Sequence, residues 1–145
     1  MNPYFLFTGL TSFLLAHICY ILLFSKDLAS SINWYKITIV IAVFVYAMLL
    51  FNYLSPHLND MMIPVILYIL AIIAMVTMAV LCNDNLDKAY YNKVLIGALL
   101  FMGSDSILAV DKFVNPLPYA SIIIMTSYAA AQYFIVTGVI KRALH

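Results

Sequence analysis

The stretch MIPVILYILAIIAMVTMAVLC, residues Met62–Cys82, contains no charged side chain and decides the fold class. A helix needs about 20 mostly apolar residues to cross the hydrocarbon core of a bilayer. Met62–Cys82 meets that requirement, and Pro64 falls in its first turn, where the missing N–H costs little. The sequence therefore predicts a transmembrane helix here.

Four further segments of the same kind lie on either side of it. Polar connectors rich in Asn, Asp, Ser and Pro separate them, and these residues favour turns. We find no internal repeat and no separate soluble region, so we predict an all-α protein, a single transmembrane domain over residues 1–145. Its predicted helices are Tyr4–Phe24, Tyr35–Leu54, Met62–Cys82, Val94–Lys112 and Tyr119–Ile140.

The composition supports a membrane protein. Hydrophobic residues make up 66% of the 145 positions and charged residues 9%, whereas soluble domains carry roughly a quarter charged residues. The net charge of +1 gives no basis for binding nucleic acid. The two cysteines match neither a disulfide framework nor a metal site. We predict no metal and no cofactor.

The basic residues predict the orientation of the bundle. With five crossings, the termini lie on opposite sides, and all but one of the basic residues flank the membrane on the C-terminal side. The positive-inside rule then places the C-terminus in the cytoplasm and the N-terminus outside. The basic residues on the C-terminal side are Lys26, Lys36, Lys88, Lys93, Lys141 and Arg142, and Lys112 lies on the other.

Polar residues within the predicted helices are the natural functional candidates. An ionisable side chain near the bilayer centre costs several kcal/mol unless it is paired or faces a cavity. At a rise of ~1.5 Å per residue, His17 lies about 5 Å to the cytoplasmic side of the midpoint of its helix, and Asp105 about 3 Å to the outer side. Tyr128 and Gln132 straddle the middle of the last helix. The four converge if helices one, four and five are neighbours.

Each candidate also has a structural interpretation. His17 and Tyr20 are equally explained as hydrogen-bonding residues between helices, and Gln132 as an interhelical contact. Lys112 at the membrane border is typical of a lysine whose amine reaches the interface. A carboxyl as deep as that of Asp105 has few structural explanations, so it is the strongest functional candidate.

Two stretches resemble one known family. GALLFMGSDSILAVDKF, residues Gly97–Phe113, and PLPYASIIIMTSYAAAQYFIVTG, residues Pro116–Gly138, are similar to the C-terminal region of the YhhN/lysoplasmalogenase family. The stretch FLLAHICYILLF, Phe13–Phe24, resembles the family's HxxY helix. The resemblance implies an integral membrane hydrolase that cleaves the vinyl ether bond of lysoplasmalogens to a fatty aldehyde and a glycerophospho-alcohol. Its partner is then a lysophospholipid in the membrane.

The resemblance also implies roles for the candidates. Vinyl ether hydrolysis begins with proton transfer to an alkene carbon, which requires an acid. Asp105 would be that acid and His17 its catalytic partner, while Tyr20, Tyr128, Gln132 and Lys112 would contact the substrate. The family's bacterial branch and the compact loops suggest a bacterial inner membrane.

Family members usually have about eight helices, including an upstream helix with a Gly-Asp motif. We therefore expect a shortened member that lacks one of two intramembrane aspartates. Three alternatives follow: a non-catalytic or partner-dependent protein, a homodimer that rebuilds a larger bundle with Asp105 from each chain, and a small transporter.

Overall fold

The computed structural model describes residues 3–26, 28, 31–82 and 88–144. Parts of two predicted connectors, residues 27, 29–30 and 83–87, lie outside the described residues. Over the described ranges the chain forms five helices long and apolar enough to cross a membrane, which confirms the predicted fold class. They are α1 (Pro3–Ser25), α2 (Trp34–Leu54), α3 (Met62–Leu81), α4 (Lys88–Phe113) and α5 (Ala120–Ala143).

The helices alternate in direction, so the bundle has two ends. At one end α1 and α3 finish and α2 begins. There Leu28 forms a bridge with Cys82, and the Lys36 amine donates a hydrogen bond of 2.8 Å to the Cys82 carbonyl oxygen. We call this end the lysine-rich face, because Lys26, Lys36, Lys88, Lys93 and Lys141 lie at or near it. The opposite end, with Lys112, is the lysine-poor face.

Helices α4 and α5 pack closely because small residues line their interface. A Cβ added at Gly97 would lie 2.6 Å from Ile135 Cγ1 and 3.0 Å from the Ala131 carbonyl oxygen. One added at Gly138 would lie 3.3 Å from Lys93 Cβ. Small residues allow helix backbones to approach in membranes, where van der Waals packing drives association. This close packing against α5 fixes the position of α4 and of its polar residues.

The half of the bundle next to the lysine-rich face is densely packed. Phe24, Met75, Val76 and Val94 are all completely buried there. Helix α4 already includes Lys88, the first described residue after residues 83–87, and so extends upstream of its apolar run, where Tyr90 and Tyr91 join this core. The Tyr91 hydroxyl donates to the Val80 carbonyl oxygen at 3.1 Å, which satisfies its polar end.

Helix α3 is central and contacts α1, α2 and α4. In the half next to the lysine-poor face, the end of α2 and the start of α3 contribute the buried residues Leu54 and Val65. Phe113 at the end of α4 packs against them. The helices separate here, and the space between them positions the candidate site.

Candidate active site

Asp105 of α4 and His17 of α1 meet in the interior of the bundle. His17 Nε2 lies 3.4 Å from Asp105 Oδ2, and the two side chains are 0% and 2% exposed. Helices α1 and α4 therefore converge here through their side chains, as the depth of these residues predicted. A buried ionisable pair is costly in the membrane, which favours a functional explanation.

The backbone fixes which nitrogen of His17 faces the carboxyl group. His17 Nδ1 lies 2.6 Å from the Phe13 carbonyl oxygen, which can only accept a hydrogen bond, so we assign the proton to Nδ1. The remaining nitrogen, Nε2, then has a lone pair that points at Asp105. Two lone pairs repel unless a proton lies on one of the two atoms. The Asp105–His17 pair is therefore the candidate site for proton transfer among the described residues.

Tyr68 of α3 completes the polar cluster. Its ring centroid lies 5.7 Å from that of His17. Three buried polar atoms here make no well-formed hydrogen bond within the described part of the chain: Tyr68 Oη, His17 Nε2 and Asp105 Oδ2. The 3.4 Å separation of the last two is beyond the usual N–H···O range. Buried polar groups are normally bonded, so this cluster is suited to accept polar atoms of a ligand or water.

The sequence analysis did not select Tyr68 as a site residue. The position of Tyr68 opposite Asp105 depends on the packing of α3 against α1 and α4. A hydroxyl near the middle of an otherwise apolar segment was the signal for it.

A cavity of about 220 Å³ begins at this cluster. Asp105, Ser106 and Tyr68 line its buried end, and Lys112, with its side chain 36% exposed, lies at the lysine-poor face. The rest of the lining is apolar and includes the small residues Gly9 and Ala109. Its larger members are Leu10, Phe13, Leu50, Leu54, Val65, Ile69, Ile72, Leu108 and Phe113. The cavity is thus an apolar slot with Asp105 at its inner end and Lys112 at its outer end.

Gly9 of α1 is one of the residues that line the slot. A Cβ built at Gly9 meets no atom within 4 Å. Any larger side chain at this position would extend into free space beside the cavity. Gly9 is therefore a natural position for testing the cavity.

A second cavity of about 170 Å³ lies between α1 and α3. Leu10 and Tyr68 line both cavities, so Tyr68 stands at the partition between them. The second cavity is also in the half next to the lysine-poor face, because its other residues are Phe7, Thr11, Leu14, Ile63, Pro64 and Leu67.

Tyr20, Gln132 and Tyr128 occupy a different place from the cavity lining. The Tyr20 hydroxyl donates a hydrogen bond to Gln132 Oε1, which ties α1 to α5. The Tyr128 ring packs edge-on against Phe13 at 5.7 Å between centroids and lies 5.2 Å from the Phe101 ring. Phe101 in turn stacks at right angles on His17 at 4.8 Å. Tyr20, Gln132 and Tyr128 thus lie near the Asp105–His17 pair but outside the cavity lining. Their contact with substrate stays a prediction.

Some polar residues of α4 make hydrogen bonds that stabilise the fold, and others line the cavity. Ser104 Oγ donates to the Ile124 carbonyl oxygen at 3.2 Å and so links α4 to α5. Asp111 Oδ1 accepts a 2.8 Å hydrogen bond from the backbone N–H of Leu117, which fixes the turn into α5. Lys112 Nζ lies 3.8 Å from Asp111 Oδ2 across a partly exposed surface. Among the described residues, no group of three or more metal-ligating side chains comes together.

These features define a polytopic membrane protein with a buried Asp–His pair at the inner end of an apolar cavity. Its sequence matches the model of the YhhN family over residues 1–139, and the chain belongs to that family. The predicted family resemblance is confirmed.

Curated relatives agree with this assignment. The chain is 33% identical over 134 residues to "Lysoplasmalogenase TMEM86B" of Homo sapiens, which covers 92% of this chain and 53% of the relative. It is 34% identical over 135 residues to "Lysoplasmalogenase" of Mycobacterium bovis, covering 90% and 49% respectively. The chain thus spans about half the length of the curated relatives it matches. No solved structure gives a significant match.

Proposed function

We propose that this chain forms the acid site of a lysoplasmalogenase-like hydrolase, which cleaves the vinyl ether bond of a lysophospholipid. The observation that carries the proposal is the buried Asp105–His17 pair at the inner end of an apolar slot with Lys112 at its outer end. The relatives named lysoplasmalogenase give the reaction class independently.

The reaction consumes one water and needs three proton transfers. Proton transfer to the β-carbon of the vinyl ether leaves an oxocarbenium ion. Water then adds to the α-carbon and loses a proton to the site, which gives a hemiacetal and restores the acid. The hemiacetal collapses when its C–O bond to glycerol breaks and its hydroxyl proton passes to the glycerol oxygen, which gives a fatty aldehyde and the free glycerol hydroxyl. An acid that becomes a base after the first step can serve both steps.

Asp105 and His17 fit this sequence. Asp105 lines the cavity and would deliver the proton to the alkene carbon. His17 lies behind it and would share the remaining charge, then help to return the proton lost by the attacking water. Tyr68 Oη lies in the same polar cluster and lines the slot, where it would orient that water. An oxocarbenium ion formed here would lie beside a carboxylate, which stabilises it electrostatically.

The spacing along α4 fits a lysophospholipid. Asp105 and Lys112 both line the slot, and seven residues of helix correspond to roughly 10 Å. The bonds between a phosphate and the vinyl ether of a lysoplasmalogen span roughly 9 Å when extended. A lipid whose phosphate is held at Lys112 would therefore place its alkene near Asp105.

The proposal includes an orientation. The excess of lysines at one face favours a cytoplasmic C-terminus by the positive-inside rule. A bacterial inner membrane is the setting that the family's bacterial branch suggests. A homodimer that brings two Asp105 carboxyls together stays a prediction.

The decisive experiment compares Asp105→Asn with Asp111→Asn. We expect purified wild-type chain in detergent to release fatty aldehyde from lysoplasmenylethanolamine. Asp105→Asn should lose at least about a thousandfold in rate, because general acid catalysis contributes 10²–10⁴-fold and the oxocarbenium ion also loses its counter-charge. Asp111→Asn keeps an acceptor for the Leu117 N–H and should remain active.

Each other result is informative. Retained turnover in a folded Asp105→Asn variant would refute the acid assignment. A folded wild-type chain without any aldehyde release would refute autonomous activity and favour a partner-dependent protein. Flux of intact lipid across proteoliposomes without chemical change would favour a transporter.

A further inference from the structure

We infer that the site takes its lipid from one leaflet, the one at the lysine-poor face, and this inference rests on the proposed hydrolase function. In the proposed orientation that is the leaflet opposite to the cytoplasm. The substrate class is then a single-chain phospholipid whose headgroup lies on the side of the membrane where Lys112 lies.

The cavities give the first argument. The 220 Å³ slot is lined by residues from the first half of α1, the end of α2, the first half or so of α3 and the last third of α4. All four of these segments belong to the half next to the lysine-poor face. The second cavity, of about 170 Å³, is lined by the starts of α1 and α3 in the same half.

The packing on the other side of the acid pair gives the second argument. The Phe101 ring packs on His17 at 4.8 Å between centroids, and Phe101 belongs to the same core cluster as Val76 and Met75, each of which is 0% exposed. Beyond them Phe24 and Lys36 are also completely buried. A lipid that entered from the lysine-rich face would have to displace this core to reach Asp105.

The polarity of the slot gives the third argument. Lys112 is the cationic residue of the cavity lining and lies at its exposed end. A phosphate held there remains at the interface, while the vinyl ether enters the apolar part. The reverse pose would bury the phosphate near the bilayer centre, where a charge costs several kcal/mol. The slot therefore distinguishes the two ends of a lysolipid and fixes which leaflet supplies it.

The test uses sorted proteoliposomes. The full chain with a C-terminal affinity tag is reconstituted, and vesicles are separated on a tag-binding resin into a tag-outside and a tag-inside population. Lysoplasmenylethanolamine delivered from albumin enters the outer leaflet of each, and aldehyde release is followed over minutes, before lipid exchange between leaflets. We expect the tag-inside vesicles to react at least about tenfold faster per molecule of protein.

Detergent then separates this inference from the function on which it rests. After solubilisation both populations should reach the same rate. Equal rates in intact vesicles, or faster release from tag-outside vesicles, would overturn the leaflet assignment while leaving the hydrolase function intact. No release from either population even in detergent would overturn the hydrolase function and the leaflet inference with it.

Discussion

The two halves of the bundle differ in how tightly similar apolar side chains pack. Next to the lysine-rich face, Met75, Val76 and Val80 of α3 are completely buried in a dense core. One to four turns earlier on the same helix, Val65, Ile69 and Ile72 line an open slot. Composition does not distinguish these turns of α3. The difference shows that one half holds the bundle together, which leaves the other half free to accept a ligand.

The strongest test of this difference fills the slot. Gly9→Leu places a side chain in the free space beside the cavity, whereas Gly103→Leu is a matched control because its Cβ also meets no atom within 4 Å and Gly103 is not among the lining residues. Both variants should gain up to about 1 kcal/mol of helix propensity. We expect Gly9→Leu to lose at least about a hundredfold in aldehyde release and Gly103→Leu to keep wild-type rates, because only the first obstructs substrate. Equal activity of the two variants in detergent would show that the slot does not bind the substrate.

The next test removes one tyrosine hydroxyl from each half of the bundle. Tyr68→Phe removes a buried hydroxyl that makes no well-formed hydrogen bond to another described residue, and Tyr91→Phe removes one that donates to the Val80 carbonyl oxygen. We expect Tyr68→Phe to lower kcat by about tenfold with KM and thermal stability almost unchanged, since its hydroxyl acts on water in the site. Tyr91→Phe should keep kcat and lose about 1 kcal/mol of stability. A Tyr68→Phe variant with wild-type kcat would limit Tyr68 to packing.

Two valines of α3 test the packing itself. Val76→Ala removes methyl groups from the dense core, and Val65→Ala removes them from the edge of the slot. Both residues are buried, at 0% and 2% exposure. We expect Val76→Ala to cost about 1–2 kcal/mol in reversible unfolding in mixed micelles, and Val65→Ala less than half of that, because its methyls already face an empty volume. Equal losses would mean that the slot closes in the free protein.

The smallest effect on activity is expected at the lysine-poor end of the slot. Lys112→Gln removes the cation from the lysine-poor end of the slot, while Lys93→Gln makes the same change near the other face. We expect Lys112→Gln to raise KM about threefold with kcat unchanged, because a partly exposed lysine contributes modestly to binding a phosphate. Steady-state kinetics in detergent at fixed ionic strength measures this. A similar rise of KM in Lys93→Gln would argue against a specific phosphate contact at Lys112.

The fold was largely accessible from the sequence. Apolar runs of membrane-crossing length are a direct physical requirement of the bilayer, so the five helices followed from length and composition. The start of α4 was less accessible. Tyr90 and Tyr91 are amphipathic and lie in a predicted connector, and only their burial in the core shows that the helix extends upstream of Val94 to include them.

The site was accessible in part. Asp105 and His17 were selected because their depth is costly, and the structure brings them to 3.4 Å. The cavity and the place of Tyr68 in it were not predicted. Both depend on where α1, α2 and α4 separate from α3, and a hydropathy pattern carries no information on the gaps between helices. For the same reason the sequence did not show that the Tyr20 hydroxyl donates a hydrogen bond to Gln132.

The burial of Lys36 makes this residue a built-in chemical reporter. Its amine is 0% exposed, donates to the Cys82 carbonyl oxygen and lies 5.0 Å from the centre of the Tyr91 ring. Lys26 and Lys88, near the same face, are exposed. An amine-acylating reagent should therefore label Lys26 and Lys88 in the native protein and reach Lys36 only after the helix ends come apart. Mass spectrometry of the peptide that contains Lys36 would then report the integrity of the bundle, with no spectroscopic probe added.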